Sequence, residues 1–511
     1  MNRKEFLTKN ATLTASAFFL PNNIFNPFIS GNSHSETNDL WRMSATELGD
    51  VIRRKKASVR EVIEAHVKRI KAINPTVNAV TCLLEEEALK EADLKDKFLA
   101  KSPEVGPLYG VPFSVKVNVD LAGSATTEGV LLLKNNIPAT DSPHVGLMKS
   151  SGAIALARTN MPDFGLRYHT DNDLYGATIN PWNAQLTPGG SSGGDAAAVA
   201  TGMLPIGLGN DYGGSIRYPA QCCGVCGLRP SRGRIAFSTV SLSQGSVSES
   251  LRRFAVQGPI ARRIQDLRLS LKIMSAYDFR DASWVPAPLE SNLNTPFRVA
   301  LITNPAGLGV DDSVREAVKK AGMILEKSGG IVEEIDSSSL RESAQLWIQI
   351  IATDIQQLHL SAINKYASVA VQNFTDKLIR FQTDTSLLHY VECLARINGI
   401  AQAWEGIFQK YDVIVGPVSS RNPFPVGYDV QSLETTRAML DSQVLTVSVN
   451  LLGLPSVAVP IEITRGTAQV VQIIGPLFKE TRCLDLAQII ENEVGIFTPI
   501  DPRKVDRGDK D

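Results

Sequence analysis

The chain has 511 residues, 43% of them hydrophobic and 21% charged, and its 52 basic and 53 acidic side chains leave a net charge of −1. This is the composition of a globular protein long enough to bury a large core. It offers no basic surplus to attract nucleic acid, and its body lacks the apolar run that a membrane span requires.

The first 30 residues stand apart. Arg3-Lys4, Phe6-Leu7 and Lys9 precede a weakly apolar stretch, ATLTASAFFLP, and then a polar one. The order resembles a twin-arginine export signal with one arginine replaced by lysine, which would send a folded protein to the periplasm. A frayed N-terminus on a cytoplasmic protein is the alternative. Residues 1–38 are therefore assigned to an export-signal-like segment and linker, and 39–511 to a single domain.

The domain opens on two S-x-x-E capping boxes, Ser44 with Glu47 and Ser58 with Glu61. Behind the second, Val59, Val62, Ile63, His66, Val67, Ile70 and Ile73 recur at helical spacing, and Asn74-Pro75 is expected to end that helix. His66 falls on the apolar side and reads as a packed histidine. A charged helix over about 84–99 follows. In 110–119, Val111, Phe113, Val115, Val117 and Val119 alternate with Pro112, Ser114, Lys116 and Asn118. Strict period two predicts a strand with one buried face, and the pattern alone puts Lys116 on the wet one.

Residues 143–159 read as helix then strand, DAAAVATGM as a close-packing alanine-rich helix, and 204–209 as a buried strand. From Arg298 a strand, a helix over about 312–328 and a second strand after Gly329-Gly330 form a βαβ unit. A long helical region covers about 338–410. The remainder is a strand over 411–415, a Pro-rich loop over 416–427, strands over 456–460 and 470–474, and a helix near 480–493. The fold class is α/β, with one extended sheet or two closely fused lobes.

Chemistry concentrates in TPGGSSGGDAAAVATGMLPIGLGNDYGGSIR, residues 187–217. Two Gly-Gly-Ser steps end at Ser191 and Ser215. Paired glycines let the backbone turn sharply and aim its N–H groups at a ligand. Breaking an amide needs a nucleophile, a proton carrier and donors for the oxyanion. Ser215 follows a nest of bare amides, and Ser191 precedes a helix start that favours negative charge. None of the six histidines (His34, His66, His144, His169, His359, His389) lies in either motif. Lys116 is the substitute base, provided folding dries its surroundings enough to lower its pKa from ~10.4.

Other uses of these residues fit less well. Gly190-Ser191-Ser192-Gly193-Gly194 matches the G-x-S-x-G elbow with Ser192 as nucleophile, but Thr187-Pro188-Gly189 stands where a strand should lead in. A P-loop needs Gly-Lys-Ser/Thr, which is missing. Cys223-x-x-Cys226 has metal spacing but no second ligand pair, so these cysteines and Cys222 read as small packing residues and no metal is expected.

Taken together, the segments resemble the amidase signature family. GVPFSVK at 110–116, GGSSGG at 189–194 and GGSIRYPA at 213–220 carry the likeness. CGVCGLRPSRGRI at 223–235, FAVQGPIARR at 254–263, NLLGLPSVAVP at 450–460, VVQIIGPLFKE at 470–480 and TPIDPR at 498–503 extend it. The resemblance implies a large mixed twisted β-sheet covered by helices. It also implies hydrolysis of a carboxylic amide without a cofactor. Ser215 would be the acylated nucleophile, Ser191 the proton carrier on a cis peptide after Gly190, and Lys116 the base. The amides of Tyr212, Gly213 and Gly214, with that of Ser215, would form the oxyanion hole.

The implied partner is a small-molecule amide, with no nucleic acid and no stable membrane insertion. A homodimer is left open. The family also contains the A-type subunit of a glutamine-dependent tRNA amidotransferase, and a non-catalytic ligand-binding descendant is a third alternative. Val117, Asn210, Tyr212 and Arg158 depart from the usual residues. Substrate contacts are unassigned. Segments 165–175, 340–400 and 416–445 are where specificity is expected, with Phe424 and Tyr428 as candidate liners.

Overall fold

The alternating strand around Lys116 is buried on both faces. In the computed structural model, which describes residues 36–102, 104–238, 247–290, 293 and 295–503, all five residues of β2 (Pro112–Lys116) are buried. This corrects the expectation of a wet face. Val111, Phe113 and Val115 face one layer of helices, and Ser114 and Lys116 face another. Strands in the middle of a helix-covered sheet lose both faces to packing whatever their polarity pattern.

Eleven strands form one mixed sheet in the order β1-β3-β2-β4-β6-β5-β10-β11-β9-β7-β8. They are β1 (Val80–Leu83), β2, β3 (Ile154–Thr159), β4 (Ile206–Asp211), β5 (Cys226–Arg229) and β6 (Val256–Ala261). The second half contributes β7 (Arg298–Leu301), β8 (Ile331–Glu334), β9 (Val413–Pro417), β10 (Ser456–Thr464) and β11 (Thr467–Ile474). β2 runs parallel to both β3 and β4. β7 runs parallel to β8 and β9, while β4 with β6 and β10 with β11 are antiparallel. One continuous sheet, rather than two lobes, carries the apolar core.

Both capping boxes form, with Ser44 and Ser58 each exchanging bonds with the glutamate three residues on. The second helix does not stop at Asn74-Pro75. It runs Val59–Val77 with Pro75 inside and ends at Asn78 in the left-handed conformation, φ 52°. A proline in the last turn removes only one intrahelical bond. Asn74 stays useful there, because its Oδ1 accepts from the N–H groups of Ala79 and Val80 and starts β1. His66 is fully buried, with Nδ1 3.1 Å from the Met203 carbonyl.

The helical region after β8 resolves into Leu340–Asp354, Leu360–Tyr366, Val369–Ile379 and Leu387–Phe408, with a π-helical turn at Ile355–His359. Except for residues 36–38, the export-signal-like segment lies outside the described residues. Among the described residues no helix is long and apolar enough to cross a membrane.

Candidate active site

Parallel pairing decides where the chemistry sits. β2 and β4 align Phe113 with Ile206, Ser114 with Gly207 and Val115 with Leu208. Both strands therefore deliver their carboxyl ends to the same edge, the usual place for a site in such sheets. β2 ends there on Lys116, and β4 ends on Asn210 and Asp211. The helix Gly193–Ala200, buried along its whole length, starts at that edge directly after Ser191 and Ser192. The Gly190–Ser191 peptide is cis. Residue 190 must be glycine, because a Cβ there would collide with the Arg167 carbonyl oxygen.

Lys116 is wholly buried. Its Nζ lies 2.7 Å from Ser191 Oγ, 3.0 Å from Ser192 Oγ and 2.8 Å from Asn210 Oδ1. Asn210 is oriented in turn by donating from Nδ2 to Asn118 Oδ1 at 2.9 Å. All three partners are neutral. Burial pushes the ammonium down to about 8, against the more distant pull of Asp195, Glu128 and Asp211. At pH 7 about one lysine in ten is then neutral, against fewer than about one in a thousand ordinarily.

The carboxyls around it are restrained too. Burial lifts Asp195 to about 6, although Thr159 Oγ1 and Ser114 Oγ donate to its Oδ1 at 2.6 and 3.0 Å. Burial also lifts Glu128 to about 8. Glu128 has a left-handed backbone, φ 52°, and its carbonyl accepts from the N–H of Phe164. That bond braces the turn whose next residue, Gly165, lies against Ser191.

Ser215 is 8% exposed and follows the turn Tyr212-Gly213-Gly214. Its carbonyl accepts from the N–H of Ser192 at 3.2 Å, which pins the two serine motifs together. The turn differs from the sequence expectation in one respect. The Gly214 N–H donates to Asp211 Oδ1 at 2.9 Å, so it faces the carboxylate rather than a substrate oxygen. The amides of Tyr212, Gly213 and Ser215 have no acceptor among the described residues.

Asp211 also accepts from the Ile216 N–H and from Asn450 Nδ2, and pairs with Arg217 through Nε and Nη2 at 3.0 Å each. Burial alone would raise this carboxyl, but the Arg217 guanidinium outweighs it and holds the group well below the usual carboxylate range.

Several contributors escape a reading of the sequence. Ser192 and Asn210 sit inside the motifs, and their contact with Lys116 depends on strand register. Tyr168 donates its OH to the Gly213 carbonyl at 2.8 Å. Trp347 donates from Nε1 to the Tyr212 carbonyl at 3.3 Å across 135 positions, which no local pattern announces. Trp347 also borders a cavity of 270 Å³ with Gln345, Ile348, Leu440, Val444 and Val447.

Of the proposed liners, Phe424 and Tyr428 stack on each other, with centroids 4.7 Å apart. Ser192, the alternative elbow nucleophile, follows a loop rather than a strand and is fully buried beside the lysine. Cys222, Cys223 and Cys226 are buried and unpaired, and burial pushes their thiols up. Among the described residues no group of His, Cys, Asp or Glu side chains is placed to hold a metal ion.

Comparison with known proteins identifies the family. Residues 61–484 match the Amidase family. Indoleacetamide hydrolase of Bradyrhizobium diazoefficiens is 38% identical over 462 residues, 90% of this chain and 88% of the relative. The A-type subunit of glutamyl-tRNA(Gln) amidotransferase from Geobacillus stearothermophilus is 30% identical over 88% of this chain and 97% of the relative. The solved structure of 6-aminohexanoate cyclic dimer hydrolase with substrate superposes with a TM-score of 0.79 at 26% identity, over 91% of this chain and 99% of that one. The chain belongs to the amidase signature family, and it is an amide-hydrolysing enzyme.

Proposed function

We propose that the chain hydrolyses a small carboxamide through an acyl-enzyme on Ser215, with Lys116 and Ser191 moving the protons. The observation that carries this reading is the 2.7 Å contact between a fully buried Lys116 Nζ and Ser191 Oγ. Neutral Lys116 takes the Ser191 proton while Ser191 takes that of Ser215. Ser215 Oγ attacks the carbonyl carbon, and the electron pair moves to the oxygen, facing the amides of Gly213, Ser215 and Tyr212. Ser191 then gives a proton to the departing nitrogen and recovers one from Lys116. Water, deprotonated along the same route, cleaves the ester and releases the carboxylic acid.

The substrate class favoured by the relatives is an arylacetamide, since the indoleacetamide hydrolase shares more of its sequence than the amidotransferase relative does. Ammonia release from indoleacetamide by the isolated chain supports this reading. Activity that appears only with charged tRNA and further protein chains supports the amidotransferase instead. For the mechanism, Ser215→Ala should abolish labelling by a fluorophosphonate probe, and undiminished labelling would refute the nucleophile assignment. Export of the folded enzyme to the periplasm is a further part of the proposal. Cell fractionation tests it, and a wholly cytoplasmic chain would overturn it.

A further inference from the structure

The turn that presents the oxyanion donors is gripped from outside the two serine motifs. Two side chains on one helix, Leu340–Asp354, do the gripping. Trp347 and Asp354 are seven residues apart, two helical turns, and so lie on one face. Trp347 is 5% exposed, and its Nε1 donates to the Tyr212 carbonyl at 3.3 Å. Its ring lies so close to Gly213 that a Cβ there would sit 2.5 Å from Cζ2. Asp354 Oδ2 accepts from the Ser250 N–H at 2.8 Å and from Ser250 Oγ at 2.5 Å. Ser250 has a single hydroxyl proton, and it goes to this carboxylate. The Tyr212 phenol, 2.7 Å from Ser250 Oγ, is therefore the donor in that contact. The other carboxylate oxygen accepts from the Tyr390 OH at 2.8 Å.

Peptide geometry turns these contacts into a function. In a trans peptide the C=O and the following N–H point in opposite directions. Drawing the Tyr212 carbonyl toward Trp347 therefore aims the Gly213 N–H away from that helix. The Gly213 carbonyl is likewise drawn back by the Tyr168 OH at 2.8 Å, and the Gly214 N–H, its trans counterpart, is the one bonded to Asp211. One amide is thus tied up in the scaffold while its neighbour is held out.

Resting on the acyl-enzyme reading above, we propose that Trp347 and Asp354 are positioning residues for the oxyanion donors. Trp347 sets the plane of the Tyr212–Gly213 peptide. Asp354, acting through Ser250 and the Tyr212 phenol, keeps that plane from rotating. Neither side chain touches substrate in this assignment. The helix acts on the reaction only through the direction of the Gly213 N–H.

The test uses the full chain and the phosphonylation of Ser215 by a fluorophosphonate, whose attack develops charge on an oxygen facing the same donors. The maximal rate, kinact, is read separately from the binding constant, KI. Trp347→Phe keeps an aromatic side chain and removes the N–H together with the second ring. It should lower kinact about ten- to a hundred-fold, the range expected when a catalytic group is misplaced by up to an ångström. KI should stay within about two-fold, because the donors matter as charge develops rather than in the encounter.

Tyr212→Phe leaves no cavity, and it covers the case in which the tryptophan variant fails to fold. It should lower kinact about three-fold, the scale of one hydrogen bond of modest net strength, with the same unchanged KI. An unaltered kinact in the folded variants, or a loss carried by KI, overturns the positioning role. Labelling that survives in Ser215→Ala instead overturns the acyl-enzyme reading beneath it, so the two failures are distinguishable.

Discussion

Two buried cations sit against adjacent residues of β4, and the protein treats them in opposite ways. Lys116 meets Asn210 and two serine hydroxyls, all neutral. Arg217 meets Asp211 through a two-point contact, and the amide oxygens of Gln472 and Asn450 accept further hydrogen bonds from it at 2.9 and 2.6 Å. Both side chains are wholly buried. In the arginine's surroundings a full negative charge compensates the desolvated cation. Around the lysine the nearest partners are neutral and the carboxyls lie farther off, so burial outweighs their pull and lowers the ammonium to about 8. Burial makes a reactive amine only when the nearest oxygens carry no charge.

Breaking the lysine side has the largest expected effect. Lys116→Met keeps the volume and removes the base, and turnover should fall about a thousand-fold or more, within the range of general-base catalysis. Steady-state kinetics check this, and activity within ten-fold of the unaltered enzyme would remove the lysine from the mechanism.

Breaking the arginine side should cost stability instead. Asp211→Asn leaves the Arg217 cation unpaired in the interior, a change that typically costs about 3–5 kcal/mol. Denaturant unfolding measures it.

The sharpest comparison makes one cation resemble the other. Asn210→Asp places a carboxylate against Lys116 Nζ, which should raise the lysine by about one to three pH units. Neutral amine becomes scarce at pH 7, so kcat/KM there should drop about ten-fold or more and recover as pH rises. A uniform loss at all pH values would mean that the asparagine serves geometry rather than charge.

The proposed trio of Lys116, Ser191 and Ser215 is legible in the sequence because its signals are local. Gly-Gly-Ser at 189–191 and 213–215, and the alternation ending at Lys116, each fit within a few residues. The capping boxes at Ser44 and Ser58 are legible for the same reason. What stays hidden depends on the sheet. The dryness of Lys116 comes from its central strand and the helices on both sides, and the alternating pattern points the other way. The Gly214 N–H turns away from the expected oxyanion hole because a side chain three residues upstream, Asp211, competes for it. Trp347 and Asp354 on one helix and Ser250 on another reach Tyr212 only in the folded chain. The helix through Pro75 shows the same limit, since a breaker in a final turn removes little.

The central claim is that Lys116 loses its proton near neutral pH while buried. The direct measurement is the rate of Ser215 phosphonylation by a fluorophosphonate, which expels fluoride, as a function of pH in the unaltered enzyme. Protonated lysine cannot accept from Ser191, so the rate should rise with pH and level off above a midpoint near 8. Glu128, lifted by burial to about the same value, should broaden the rise, because coupled groups titrate as a pair. A midpoint at or above the ordinary lysine value of ~10.4, or a rate independent of pH across neutrality, would contradict the account.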